Sequence, residues 1–192
     1  MKIAWSVRLA CDADVPGLEK LIPLSVRALQ APYYSTAQMD GALGFVFGVD
    51  RQLIRDGTYF VVEHECELIG CGGWSKRKTL FGSDHETGRD DTELNPTCAA
   101  ARIRAFFIHP NWARRGLGHA ILDACEKAIL DAGFRSAELV ATLAGEPFYA
   151  AFNYSAIECY DIPLANGLGL PVVRMIKNFV PNQFPQSTAG RR

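Results

Sequence analysis

The chain has 192 residues, 48% of them hydrophobic and 21% charged, a composition that supports one folded domain with a sizeable core. Its 20 basic and 21 acidic residues leave a formal charge of −1 with no basic stripe, which argues against a nucleic-acid partner. No apolar run approaches the roughly 20 residues of a membrane span, and Met1-Lys2 leads into no signal-peptide core, so a cytoplasmic protein without a membrane partner is expected.

Residues 3–8 read as a first strand. Asp12 or Asp14 then caps a helix with Pro16 in its first turn, and Leu18, Leu21, Ile22, Val26 and Leu29 form its apolar face. Between 31 and 57 the pattern predicts a short helix from Thr36 and another near Asp50–Ile54, broken by Gly41, Gly44 and Gly48. The segment TYFVVEHECELIGCGGW reads as a hairpin, with strands at 58–63 and 67–74 and a tight turn near Glu65-Cys66. Residues 76–100 have no clear period and are rich in Gly, Asp and Thr. So long a connection is either a solvated excursion or a lid over a binding site.

The next stretch organises the chain. In 101–108, ARIRAFFI, β-branched and aromatic residues dominate, and Pro110 forces His109 out of the helical region, ending a strand. From Leu117 the apolar positions Ile121, Cys125, Ala128 and Ala132 follow at helical spacing, with Asp123, Glu126, Lys127 and Asp131 opposite, and Gly133 stands where a left-handed cap is wanted. A further strand at 137–142 completes a strand–loop–helix–strand unit with a right-handed crossover. IECYDIPL and PVVRMIKNF then make a terminal hairpin around Asn166-Gly167, and the tail 181–192 reads as disordered.

The loop of that unit carries the chemistry. Arg114, Arg115, Gly116, Leu117 and Gly118 open a helix, where the first N–H groups have no intrahelical partner. Glycines let a polyanion reach those amides, and the arginines add charge-assisted hydrogen bonds, so a pyrophosphate suits the arrangement. His119-Ala120 after Gly118 rules out a P-loop, and Ile121 in place of a third glycine rules out the dinucleotide fingerprint. Six cysteines without C-x-x-C spacing and four histidines without ligand spacing predict no metal and a reducing compartment.

IRAFFIHPNWARRGLGHAIL, followed by PFYAAFNY at 147–154, resembles the GNAT superfamily of N-acetyltransferases, and the order of elements extends the resemblance from about residue 6 to 178. It implies one domain over 1–180. The fold is then α/β, layered, with a mixed, mostly antiparallel central sheet, a splayed parallel strand pair and flanking helices. The implied cofactor is acetyl-CoA as co-substrate. Its binding residues would be the backbone of Phe106, Phe107 and Ile108 along the pantetheine arm and Ala113, Arg114, Arg115, Gly116, Leu117, Gly118 and His119 around the pyrophosphate. Ala113 stands where the family carries Gln or Arg, so that side-chain contact is absent while the amides remain. Asn153 replaces a glycine, and Asn tolerates a left-handed turn.

The implied reaction is acetyl transfer to a primary amine, by direct attack in a ternary complex. By its place in the second motif Tyr149 is the catalytic candidate, a phenol that donates to the leaving thiolate, whereas Phe148 and Phe152 read as core. No base stands out. Arg102 and Arg104 occupy the part of the strand where some relatives carry a glutamate, and a guanidinium stays protonated. Glu63, His64, Asp84, His85, Asp90 and Asp91 remain as candidates, and His109 reads as a turn residue. Tyr33, Tyr34, Trp74 and Phe81 are candidates for the acceptor pocket, and Arg102 and Arg104 would favour a carboxylate-bearing acceptor if they face it. The acceptor is a small-molecule amine or a polypeptide, and a homodimer through the terminal hairpin is compatible with the pattern. Two other readings remain open: a non-catalytic acyl-CoA sensor on the same fold, and a binder of ATP or NAD.

Overall fold

The computed structural model describes residues 4–85 and 90–179, so the tail from 181 lies outside the described residues. Strand β1 (Ser6–Leu9) leads through a 3-10 turn at Asp12–Asp14 into α1 (Val15–Leu29). Two short helices follow, α2 (Thr36–Ala42) and α3 (Arg51–Arg55), and then the hairpin of β2 (Tyr59–His64) and β3 (Glu67–Ser75). Strand β4 (Ala101–Ile108), α4 (Leu117–Asp131) and β5 (Ser136–Thr142) form the crossover unit. Helix α5 (Glu146–Ala151) and the hairpin of β6 (Ser155–Pro163) and β7 (Gly169–Asn178) complete the order.

The strands make one sheet in the order β1-β2-β3-β4-β5-β7-β6, antiparallel except for the pair β4–β5. This is the mixed, mostly antiparallel sheet expected from the sequence. The parallel pair holds at only two positions, Ala101 against Ala137 and Arg102 against Glu138. Beyond them β4 and β5 part, and a gap opens toward the C-terminal ends of both strands.

Each face of the sheet carries its own core. On one face α4 buries Leu117, Ile121, Leu122, Cys125 and Ile129 against Val62, Ile69, Ile103 and Leu139. On the other, Leu18, Ile22 and Val26 of α1 pack with Met39, Leu53, Tyr59, Phe107 and Val172. At ~25 cal/mol per Å² of apolar surface, each fully buried aliphatic side chain contributes about 1.5–3 kcal/mol, before the entropy of ordering it. Pro23 lies inside α1, where it removes one backbone donor.

Turn chemistry follows the residues. Glu65 and Cys66 have φ of 48° and 66°, the left-handed pair of a primed hairpin turn. Gly133 at φ 89° ends α4, and Asn153 at φ 66° takes the place of a glycine after α5. Asp14 departs from expectation. It holds the cap position of α1, but its carboxylate accepts from the Arg8 guanidinium at 2.8 Å and from the Cys11 N–H at 2.9 Å instead of capping the helix.

The long connection is tied down on both sides of residues 86–89, which lie outside the described part. Its limbs pair through Lys78 N–H to the Thr92 carbonyl at 3.0 Å and Leu94 N–H to the Lys76 carbonyl at 2.7 Å. Its inner end docks on the segment before α3, with Ser83 N–H on the Phe45 carbonyl at 2.7 Å and Asp84 N–H on that of Val49 at 3.1 Å. In its described part the connection is hydrogen-bonded to the body at these points, with Thr79 and Ser83 buried, while residues 90–93 of its second limb are exposed.

Candidate functional site

The gap between β4 and β5 is shaped by an irregularity in β4. Register runs Ile103 to Trp74 and Arg104 to Gly73, then resumes with Phe107 against Cys71, so Ala105 and Phe106 together face Gly72. This is a β-bulge, and its first residue, Ala105, has φ of 57°. Beyond the bulge the strand is regular. His109 N–H donates to the Ile69 carbonyl on β3 at 2.9 Å. By alternation Phe107 turns the same way, and the N–H groups of Phe106 and Ile108 turn toward β5, into the gap. The Ile108 N–H is met there by the Ser25 hydroxyl of α1 at 3.1 Å.

At the mouth of the gap β4 ends in His109-Pro110. His109 is a turn residue as expected, its Nδ1 accepting from Asn111 N–H at 3.2 Å at the head of the 3-10 turn Pro110–Trp112. Ala113 N–H is taken by the Pro110 carbonyl. From there the chain enters α4 through Arg114 at φ 63° and Gly116 at φ 87°. No side chain caps the helix. Ala120 N–H is the first to reach a carbonyl, that of Gly116 at 3.1 Å, so the amides of Leu117, Gly118 and His119 have no acceptor among the described residues. Arg115 lies over the Trp112 ring at 5.2 Å, and Arg114 is exposed beside it. Bare amides, the positive end of a 15-residue helix and two guanidiniums make a strong anion site. His119 is turned away from it: its Nε2 lies 3.1 Å from Asp123 and its ring against Phe152.

The second motif packs onto the first. A Cβ at Gly118 would stand 3.3 Å from the Phe148 ring, so α5 approaches the start of α4 closely. Phe148, Tyr149 and Phe152 stack in sequence, and the Tyr149 ring meets Phe106 of β4 at 6.0 Å and Tyr154 at 5.8 Å. Tyr149 is 8% exposed, and no group among the described residues hydrogen-bonds its hydroxyl. Burial pushes that phenol far above its ordinary value, so it is a neutral donor at physiological pH. Tyr149 and Phe106 are thus brought together beside the gap, with Gly118 on the far side of Phe148.

Other expectations change with the structure. Arg104 is 5% exposed and does not face a cleft: it pairs with Asp50 at 2.8 Å and donates to the Gly82 carbonyl. Arg102 pairs with Glu138, which also accepts from Arg174 at 2.8 Å. Glu138, at the last paired rung before the strands part, is a buried carboxylate that sequence reasoning did not single out; alternation along β5 gave no reason to expect a charge there. Of the candidate bases, Glu63 accepts from Arg8 at 2.8 Å, Asp84 accepts from the Arg51 N–H at 2.9 Å, and Asp90 pairs with Lys78 at 3.3 Å. His64 Nδ1 lies 2.7 Å from the Ala4 carbonyl. Trp74 is buried in the core on the α4 face, its ring edge-on to Phe134. Tyr34 is buried too, its hydroxyl donating to the Pro171 carbonyl at 2.6 Å and accepting from Leu143 N–H at 2.9 Å. Tyr33 is exposed, and Phe81 is half-buried against the α1-side core. Among the described residues no group of three or more His, Cys, Asp or Glu could hold a metal, and no helix is long and apolar enough to cross a membrane.

The strand pair that parts beside an uncapped helix start is a feature of the fold, and comparison with known proteins gives the family. Residues 55–156 match the family model of the acetyltransferase (GNAT) domain, and the chain belongs to that family. Among solved structures it is similar to a GCN5-related N-acetyltransferase from Rhodopseudomonas palustris, 18% identical over 93% of this chain and 99% of that one, with a TM-score of 0.68. It is similar also to the PaiA N-acetyltransferase from Thermoplasma acidophilum in complex with coenzyme A, at 13% identity over 92% and 99% and a TM-score of 0.62. A GNAT family acetyltransferase from Brucella melitensis in complex with acetyl-CoA is 14% identical over 93% and 90%, with a TM-score of 0.56. At these identities the likeness is one of fold. No curated protein sequence matches the chain.

Proposed function

We propose that this protein is an acetyl-CoA-dependent N-acetyltransferase that acts on a primary amine. The observation that supports the reading is the set of unpartnered amides at the start of α4 beside the parting of β4 from β5, with the buried Tyr149 ring packed on Phe106 next to them. In this reading the amides of Leu117, Gly118 and His119, with Arg114 and Arg115, receive the diphosphate of coenzyme A. The edge of β4 from Phe106 to Ile108 receives the pantetheine amides as a neighbouring strand would. Because Ser25 already holds the Ile108 N–H, Phe106 is the donor left on that edge, and in this reading it stabilises the thioester oxygen as charge builds there. The amine attacks the thioester carbon to form the C–N bond; as the C–S bond then breaks, Tyr149 passes its proton to the sulfur and is reprotonated, through solvent, by the proton the nitrogen gives up. The His119 ring takes no part, being paired with Asp123, though its amide does.

A second reading has its own support. The acids named as bases are engaged elsewhere, and β4 carries two paired arginines instead of a glutamate, so a sensor that binds acyl-CoA without turning it over fits the same site. Release of free thiol from acetyl-CoA with a panel of amines and amino-terminal peptides separates the two. An enzyme releases thiol only when a suitable amine is present; tight binding with release at background would support the sensor.

A further inference from the structure

The peptide between Ala105 and Phe106 is held from behind. Its carbonyl belongs to the bulged residue, which leaves the regular ladder, and it is met by two buried side chains. The Tyr59 hydroxyl of β2 donates to it at 3.2 Å, and the Cys71 thiol of β3 lies 3.9 Å from it. Both side chains are 0% exposed. Tyr59 reaches β4 only because β3 is cleared beneath it: a Cβ at Gly73 would stand 2.7 Å from the Tyr59 ring, and one at Gly72 would stand 2.6 Å from the Phe106 ring. The run Gly-Cys-Gly-Gly at 70–73 thus has a physical reason that a β-strand alone does not supply.

A trans peptide is planar, so its C=O and N–H point in opposite directions. Fixing the Ala105 carbonyl toward Tyr59 therefore fixes the Phe106 N–H toward the gap. Ala105 sits at φ 57°, a conformation a non-glycine residue keeps only when its surroundings over-determine it. We propose that Tyr59, assisted by Cys71, is a positioning residue that locks this peptide and so aims the Phe106 N–H into the gap between β4 and β5. Its catalytic consequence rests on the acetyltransferase reading above. Burial pushes the Tyr59 phenol well above its ordinary value and the Cys71 thiol up to about 12, so both remain protonated donors across the physiological range.

The test is Tyr59→Phe, which removes one oxygen from a packed ring, alone and combined with Ala105→Gly, with Cys71→Ala as a milder probe. Two readouts are taken on the full chain: the backbone amide spectrum and hydrogen exchange of Phe106 without ligand, and steady-state kinetics with acetyl-CoA. Tyr59→Phe is expected to shift the Phe106 amide, speed its exchange, and lower kcat by about ten- to a hundredfold while KM for acetyl-CoA stays within about threefold. Cys71→Ala should do the same to a smaller degree. The second substitution should restore both readouts, because glycine holds a positive φ without a brace. An unchanged Phe106 amide in Tyr59→Phe, or a loss that Ala105→Gly does not restore, would overturn the brace. A Phe106 amide that responds as expected in a protein with no acetyl transfer would uphold the brace and sink the enzyme reading instead.

Discussion

Replacing Tyr149 with phenylalanine removes one hydroxyl from a ring held on three sides by Phe106, Phe148 and Tyr154. The ring packing survives, so coenzyme A affinity should hold while kcat falls on the order of 10²-fold, as for loss of a general acid. Equal losses in both would make the residue packing alone; isothermal titration with coenzyme A beside steady-state rates decides. Gly118→Asp should act in the opposite sense. A Cβ there presses the Phe148 ring at 3.3 Å, and a carboxylate repels the diphosphate, so affinity should drop by about tenfold or more in the same titration. At this scale the site was readable where the signal is local. Two glycines before an amphipathic run announce an open helix start, and Asn153 in a glycine's place holds the left-handed turn at φ 66°. His119 was less readable, because Asp123 one turn on and Phe152 from another element decide where its ring goes.

Element by element, β4 is where local sequence and tertiary structure part company. ARIRAFFI announces a strand, and the strand is there, yet nothing in an alanine announces a bulge; its partners, Tyr59, Cys71 and the glycines of β3, lie on other strands. The two arginines of β4 likewise could not be placed from sequence. Arg104 meets Asp50 at the head of α3 and the Gly82 carbonyl of the long connection, joining three segments inside the protein. Arg104→Met should therefore cost about 3–5 kcal/mol in denaturant unfolding by taking the guanidinium from the buried Asp50 carboxylate, and adding Asp50→Asn should recover part of it. At the other end of the sheet, Arg8 holds the Asp14 carboxyl at about 2, below its ordinary 3.8. A depressed acid stabilises the fold above its unfolded value and stops doing so as pH falls through its folded value. Wild type should thus exceed Asp14→Asn by about 1–2 kcal/mol near neutrality, after screening of the half-exposed Arg8, and the difference should vanish as pH drops from about 4 to 2. A constant difference across that window would assign the effect to packing.

For the molecule as a whole, the sheet order and the parting of β4 from β5 turn one layer into a cleft, with α1 and α2 on one face and α4 and α5 on the other. A ligand that bridges β4, α4 and α5 binds only the folded state, so saturating coenzyme A at a hundred times its Kd should add about 2.7 kcal/mol to stability. The layered order was legible because strand and helix periods differ. Long-range contacts were not, since Tyr34 from the loop after α1 meets the Pro171 carbonyl of the terminal hairpin and the Leu143 N–H after β5, which only the fold brings near one another. The account stands most directly on one measurement: a crystal structure of the protein with coenzyme A. It predicts the diphosphate within hydrogen-bonding distance of the Leu117, Gly118 and His119 amides, and the pantetheine arm along β4 with the Phe106 N–H turned to it. Coenzyme A seated elsewhere, or a diphosphate that leaves those amides bare, would contradict it.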